Sequence, residues 1–228
     1  ADLIIGLGFD PVEVDKTWHA QMPILYLLES PNACGVLPPG ALRLPLARFL
    51  ESWLAEPAAP HQWTVDAPEL REFKERYRQR LERPANHQGL WPGDLLRALA
   101  EVFPEDGIVT TDVGAHKFLF GQFWRVRQPQ TFFMSNGLSG MGYGLPAALG
   151  AKLARPRAPV MAVVGDGGFA MTSQELETAR RVQAPLIVVV LADNSLALIK
   201  LSQEKKALPN YGVDFEPIDA VYIAAACG

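Results

Sequence analysis

The sequence has few cysteines and no long apolar run. Cys34 and Cys227 are too few and too far apart for a disulfide scaffold or a zinc site, which favours a reduced, cytoplasmic protein. No apolar stretch approaches the length of a membrane span, and no signal-peptide pattern opens the chain, so we expect no membrane partner. The net charge of −4 over 228 residues argues against binding to nucleic acid or to an anionic membrane.

What the sequence does contain is a regular alternation of helical and extended patterns. With 49% hydrophobic and 20% charged residues, the composition is that of a globular protein. After residue 91 the predicted order is helix 94–103, strand 107–111, helix 115–124, strand 131–134, helix 141–154, strand 160–164, helix 171–182, strand 186–192 and helix 217–227. This alternation predicts an α/β fold, a parallel sheet flanked by helices.

Residues 1–55 predict part of a second α/β domain, with a strand ending at Gly8, a strand at 23–28 and a helix at 41–54. We attribute Gly6 and Gly8 to turn geometry. A dinucleotide site is the weaker alternative, because the full glycine spacing and a downstream acidic partner are missing. Residues 56–90 are predicted to be a linker, since four prolines interrupt them and the charged stretch 69–83 is typical of a solvated helix.

The most informative segment joins two buried strands to two polar turns. The first strand, starting at Val160, leads into Gly165-Asp166-Gly167-Gly168. The second, ending at Ala192, leads into Asp193-Asn194-Ser195. Parallel strands bring both turns to one edge of the sheet, where open α/β sheets bind ligands. The glycines let backbone N–H groups approach a diphosphate, and two carboxylates suit Mg²⁺.

This spacing resembles the metal–diphosphate motif of thiamine-diphosphate enzymes, in which Gly-Asp-Gly is followed after a spacer by Asn-Asn. Ala192-Asp193 stands where Asn-Asn usually stands. The resemblance implies thiamine diphosphate and Mg²⁺ as cofactors, with Asp166, Asp193 and the main-chain carbonyl of Ser195 as metal ligands. A slip of one residue would make Asn194 the ligand, and Gly-Asp-Gly alone would indicate an ordinary turn.

A second segment, 135–148, resembles the pyrimidine-side segment of acetolactate-synthase-like enzymes. In that family a large apolar residue bends the cofactor, and Met141 falls on this catalytic position. Backbone groups of Ser139 and Met141 would hold the aminopyrimidine. The alternative is that Met141 only fills a gap in the core.

A third segment, 110–117, follows an apolar strand and precedes a predicted helix, a geometry that suits an anion. The resemblance places Gly114, Ala115 and His116 against the diphosphate, together with Gly165, Gly167 and Gly168. An isolated histidine at this position would more often be a surface or capping residue.

The resemblance covers nearly the whole chain and is greatest to catabolic acetolactate synthases. It identifies 1–55 as part of the middle domain, in which Gly8–Glu13 matches a recurring segment, and 91–228 as a diphosphate-binding domain truncated at its C-terminus. The glutamate that activates the cofactor belongs, in this family, to a separate pyrimidine domain of another subunit. We therefore expect the parent protein to be active and this chain alone to be inactive.

The implied reaction is decarboxylation of a 2-oxo acid, with pyruvate as the expected substrate, and carboligation to an acetohydroxy acid by a homodimer or homotetramer of the parent chain. Lys200 could meet a substrate carboxylate or be an ordinary solvated lysine. The motif does not distinguish this reaction from those of a pyruvate oxidase, a 2-oxo-acid decarboxylase or an aldehyde lyase. Ala192, in place of the first Asn, gives some support to a non-catalytic cofactor-binding homologue.

Overall fold

The computed structural model describes residues 3–8, 23–30, 40–56 and 68–228, in two compact units, 1–72 and 73–228. The first unit contains a parallel sheet of β1 (Ile4–Leu7), β2 (Ile24–Leu28) and β3 (Ala41–Arg43), in that order, followed by helix α1 (Leu46–Ala55). The segment Phe9–Glu13 of the predicted middle-domain motif lies outside the described residues, as does Cys34.

Two predictions for the first unit are wrong in detail. The helix predicted over 41–54 begins only at Leu46, because Ala41–Arg43 pair with β2 and Pro45 precedes the helix. Gly6 is not in a turn, since it lies within β1 opposite Tyr26. Gly8 does follow the strand, with a φ of +59° that favours glycine.

The second unit alternates strands and helices. Helix α2 (Pro68–Gln79) crosses the boundary between the units, and the following elements are α3 (Pro92–Val102), β4 (Ile108–Thr111), α4 (Ala115–Phe123), β5 (Phe132–Met134), α5 (Gly144–Ala154), β6 (Val160–Gly165), α6 (Asp166–Thr172), α7 (Glu175–Arg181), β7 (Ile187–Leu191), α8 (Ala197–Lys205) and α9 (Ala220–Cys227).

The sheet of this unit has the order β5-β4-β6-β7, and all of its pairings are parallel. Strand β6 shows how both faces are covered, because its buried residues alternate. Val160, Ala162 and Val164 pack with α5 and α6, and Met161 and Val163 pack with α3 and α4. The predicted fold class, a parallel sheet flanked by helices, is confirmed.

Three helix predictions need correction. The helix predicted over 171–182 is two helices, and the first begins directly at Asp166, where a glycine-rich turn was expected. The helix predicted over 141–154 begins at Gly144. The helix predicted over 217–227 begins at Ala220. In addition, helix α8 was not predicted. The charged helix predicted over 69–83 is α2, and its side chains are almost all exposed.

None of the helices among the described residues is both long enough and apolar enough to cross a membrane.

Candidate functional site

The predicted site residues meet at the carboxyl edge of the second sheet. After β4 the chain turns to β5 on one side, and then returns to β6 on the other side of β4. The carboxyl ends of β4 and β6 thus form a topological switch point, which is where open α/β sheets bind ligands. Asp112 follows β4, Asp166 follows β6, and Asp193 follows β7 on the neighbouring strand.

Asp166 ties the end of β6 to the end of β7. Its side chain is buried, and its Oδ2 accepts hydrogen bonds from the N–H groups of Asp193 (3.0 Å) and Asn194 (2.7 Å). Its Oδ1 accepts one from Gly167 N–H at 2.8 Å. A carboxylate has about four acceptor positions, so about one remains for a further ligand.

The side chain of Asp193 is exposed, and its carboxylate accepts fewer hydrogen bonds than that of Asp166. Its Oδ1 accepts a hydrogen bond from Ser195 N–H at 3.2 Å. Ser195 pairs with Asp214 in an isolated antiparallel bridge, so the turn after β7 is fastened to the segment before α9. Asn194 has the left-handed φ of +57°, and its carbonyl accepts from Phe215 N–H at 3.1 Å.

His116, on the first turn of α4, is only 7% exposed, and its Nε2 is buried without a hydrogen-bond partner among the described residues. Burial lowers the pKa of this imidazole. The nearby carboxylates of Asp112, Asp193 and Asp166 act in the opposite direction and reduce the shift. The imidazole therefore lies within electrostatic reach of the three carboxylates that follow the central strands. An unpaired buried nitrogen at this edge is available to a ligand.

Glycines keep the space between these side chains open. A Cβ at Gly114 would lie 2.6 Å from the His116 ring, and one at Gly165 would lie 3.2 Å from the same ring. A Cβ at Gly168 would lie 1.9 Å from Asp112 Oδ2. These three positions have little or no room for a side chain, which explains the glycines more directly than turn geometry does.

Met141 lies over the start of α6. A Cβ at Gly167 would be 3.3 Å from Met141 Cε, 3.0 Å from Leu196 Cδ2 and 3.8 Å from the Phe215 ring. Met141 is half-buried, not a fully enclosed core residue. The structure thus brings Met141 to the glycine that follows Asp166.

Asp112 lies within the 110–117 segment but was not predicted as a site residue. It is fully buried. Its Oδ2 accepts from Gly142 N–H at 3.0 Å, and its Oδ1 accepts from Val113 N–H at 2.8 Å and Tyr143 N–H at 3.1 Å. It therefore connects β4 to the segment that contains Met141. A carboxylate directly after a fully buried strand was the available signal.

Ser139 lies in the same segment, with a left-handed φ of +50°. Its Oγ accepts a hydrogen bond from Lys117 Nζ at 3.0 Å, and Lys117 is a second residue that sequence reasoning missed. Ala115 is exposed, and it begins α4, whose start no side chain among the described residues caps. The backbone N–H groups of this first turn lie at the edge of the sheet where β4 ends.

Lys200 has a partner within the chain. Its Nζ donates to Asp214 at 2.9 Å and 3.1 Å. This hydrogen bond raises the pKa of Lys200 and lowers the pKa of Asp214. The pair fastens α8 to the segment that bridges Ser195.

Among the described residues, no group of three or more His, Cys, Asp or Glu side chains is arranged to hold a metal ion. The predicted ligand set requires only two carboxylates, with a main-chain carbonyl as the third protein ligand.

Comparisons with known proteins place this arrangement in a family. The thiamine pyrophosphate enzyme family, C-terminal TPP binding domain, matches residues 112–228, just over half of the chain. Among similar proteins, the acetolactate synthase of Bacillus subtilis is 28% identical over all of this chain and 41% of its own length. The acetolactate synthase isozyme 2 large subunit of Escherichia coli is 36% identical over 88% of the chain and 32% of its own length. The catabolic acetolactate synthase of Raoultella terrigena is 31% identical over all of the chain and 43% of its own length.

The chain thus spans about a third to two-fifths of the length of these relatives. The matched region starts at Asp112 and includes His116, Asp166 and Asp193. The chain belongs to the family of thiamine pyrophosphate enzymes.

Proposed function

We propose that this chain supplies the diphosphate- and Mg²⁺-binding half of an acetolactate-synthase-like active site. In the whole protein the reaction would be decarboxylation of a 2-oxo acid, with pyruvate as the expected donor, and its ligation to a second 2-oxo acid. Thiamine diphosphate, when bound, supplies the carbon nucleophile and electron sink that this chemistry requires. The single observation that carries the proposal is the convergence of His116, Asp166 and Asp193 at the switch point of the sheet.

The residues present fit a magnesium–diphosphate group. Asp166 and Asp193 offer hard oxygen atoms, and each keeps acceptor capacity beyond its hydrogen bonds within the chain. The buried, unpaired Nε2 of His116 would donate to or accept from a polar group placed beside it. Gly114 and Gly165 keep side chains away from this imidazole, so the space is a cradle that a Cβ would fill.

Each residue has a defined task in this proposal. Asp166, Asp193 and the Ser195 carbonyl hold Mg²⁺. His116, Gly114, Ala115 and the glycines at 165, 167 and 168 receive the diphosphate. Met141, whose Cε lies close to Gly167, would hold the cofactor in the bent form that the family resemblance implies, and Ser139 would present its backbone to the pyrimidine ring. Such a bend would bring two reacting groups of the cofactor together, a proximity effect.

The proposal is tested with the full-length protein, pyruvate, thiamine diphosphate and Mg²⁺. We expect acetolactate as the main product. Acetaldehyde would indicate a simple decarboxylase. Acetyl phosphate, formed in a parallel assay with added inorganic phosphate and O₂ as the oxidant, would indicate an oxidase. No turnover with tight cofactor binding would indicate a non-catalytic cofactor-binding protein.

A variant pair tests the site itself. Asp166→Ala should abolish Mg²⁺-dependent binding of thiamine diphosphate in calorimetric titration. The matched control is Asp106→Ala, which removes an exposed carboxylate before β4, at the opposite end of the sheet, and should bind as the wild type does. Equal binding by both variants would contradict the proposed metal site.

A further inference from the structure

Lys117 is a buried lysine beside the candidate site, and it has no acidic partner in the part of the chain that the structure describes. It is 6% exposed, and none of the ion pairs found among the described residues includes it. Its ammonium donates to the neutral Oγ of Ser139 at 3.0 Å. Burying an ammonium beside a neutral acceptor is costly. We therefore expect the Lys117–Ser139 contact to support the local backbone structure, a role that a solvated lysine would not have.

The partner of Lys117 is in an unfavourable backbone conformation. Ser139 has a φ of +50°, a region that residues other than glycine seldom occupy. Its hydroxyl accepts from Lys117 and also lies 3.4 Å from the Ser135 carbonyl, to which it can donate. The side chain of Ser139 thus links α4 to the start of the 139–143 segment and favours a conformation that the backbone alone disfavours.

The same segment is fastened at its other end by Asp112, which accepts from the N–H groups of Gly142 and Tyr143. Met141 lies between these two attachments, with its Cε over Gly167. Both attachment points belong to one stretch of chain, because Asp112 directly follows β4 and Lys117 lies on the first turn of α4.

We infer that Lys117 is a positioning residue: through Ser139 it fixes the segment that places Met141 against Gly167, and it would thereby influence how a bound cofactor is positioned. This inference rests on the proposed function. Lys117 itself need not touch the cofactor.

The test compares Lys117→Met with Lys152→Met in the full-length protein. Methionine keeps most of the aliphatic length and removes the ammonium. Lys152 is the matched control, since it is also buried and also donates to a neutral acceptor, the Ala158 carbonyl at 2.8 Å, at the far end of α5.

The first readout needs no cofactor. In Lys117→Met the amide hydrogens of Gly142 and Tyr143 should exchange with solvent at least about tenfold faster than in the wild type, the size expected for losing a hydrogen bond to a charged group. In Lys152→Met their exchange should be unchanged. If Lys117→Met does not fold, Ser139→Ala removes the same contact from the other side and should give the same result.

The second readout is proton exchange at the reactive carbon of bound thiamine diphosphate with Mg²⁺. It should slow by about tenfold or more in Lys117→Met and stay unchanged in Lys152→Met. In a Ser139→Gly background the effect of Lys117→Met should largely disappear, because glycine adopts this φ without support.

The outcomes separate the two claims. If wild-type protein fails to bind thiamine diphosphate, the proposed function fails, while amide exchange still reports on the Lys117 contact. If wild type binds the cofactor and the Lys117 and Lys152 variants behave alike in both readouts, the positioning role of Lys117 is wrong.

Discussion

At the residue scale, the carboxylates of the site connect separate segments of the chain. Asp112 and Asp166 are both buried, and each accepts three backbone N–H groups. Asp112 joins β4 to the 142–143 segment, and Asp166 joins β6 to the turn after β7. Removing either side chain would leave N–H groups without acceptors, so both residues affect folding as well as any ligand.

The choice between Asp193 and Asn194 as metal ligand can be tested by substitution. We expect Asp193→Ala to weaken Mg²⁺-dependent binding of thiamine diphosphate by more than the roughly 10–100-fold typical of losing an outer-shell group. Asn194→Ala should weaken it less, and should cost about 1 kcal/mol of folding stability because alanine fits a φ of +57° less well. Titration calorimetry and urea unfolding measure the two effects.

The opposite order of binding losses would mean that the predicted register is wrong by one residue. Asp166→Ala serves as the reference for complete loss in this series. It should also lower the free energy of unfolding without Mg²⁺, by about 2 kcal/mol or more, because three N–H groups lose their acceptor.

His116 predicts a dependence of stability on pH in the absence of cofactor and metal. Burial lowers its pKa in the folded state below the ordinary value of 6.5. The unfolded chain therefore binds the proton more readily, so this contribution to stability is complete above pH 6.5 and is lost as the pH falls through the folded-state pKa.

The measurement is the free energy of urea unfolding at about pH 7.5 and about pH 5.5. Wild type should lose more stability between these values than His116→Gln does. An equal loss in wild type and His116→Gln would show that His116 does not titrate differently on unfolding.

At the element scale, the sequence was sufficient to predict most strands and the edge of the sheet at which the site lies. The buried strands before Asp112 and Asp166, and their parallel order, follow from apolar runs separated by helical patterns. The Gly167-Gly168 pair was misread as a turn. Local pattern favours a turn there, but the chain enters α6 at Asp166, whose side chain accepts from the Gly167 N–H.

Contacts between distant segments could not be predicted from the sequence. The bonds from Asp112 to residues 142 and 143, and from Lys117 to Ser139, join segments more than 20 residues apart. Helix α8 follows the expected metal turn and has no strong apolar stripe, which explains why it was missed. The strand at Ala41–Arg43 was missed because only pairing with β2 distinguishes it from the helix that follows.

The close approach of α6 to β4 gives a prediction for glycine replacement. Gly168→Ala should lower the free energy of unfolding by at least about 2 kcal/mol, because its Cβ would lie 1.9 Å from Asp112 Oδ2. The control is Gly150→Ala in the middle of α5, where no atom of the described residues lies within 4 Å of an added Cβ. That variant should gain about 0.5–1 kcal/mol from helix propensity.

Thermal and urea unfolding of both variants give the comparison. A Gly168→Ala protein as stable as Gly150→Ala would mean that α6 can move away from Asp112, and that the close packing at the switch point is not required for folding.

At the scale of the whole molecule, every candidate site residue lies in the second unit, 73–228. That unit also has large apolar side chains in solvent, among them Leu138, 96% exposed next to Ser139, and Tyr211, 85% exposed. Exposed apolar side chains of this size can contribute to contacts between proteins. The relatives are longer than this chain, which matches about a third to two-fifths of their length.

The last prediction therefore concerns the 228 residues by themselves. Purified alone, with thiamine diphosphate, Mg²⁺ and pyruvate, they should form no detectable acetolactate, because the family resemblance places the activating glutamate in a separate pyrimidine domain. Cofactor binding should be weak, and the exposed apolar surface should cause self-association that increases with concentration in sedimentation experiments. The full-length protein, assayed in parallel, should turn over. Substantial turnover by the 228 residues alone would mean that a glutamate within this chain activates the cofactor, and that the assignment of only half a site to it is wrong.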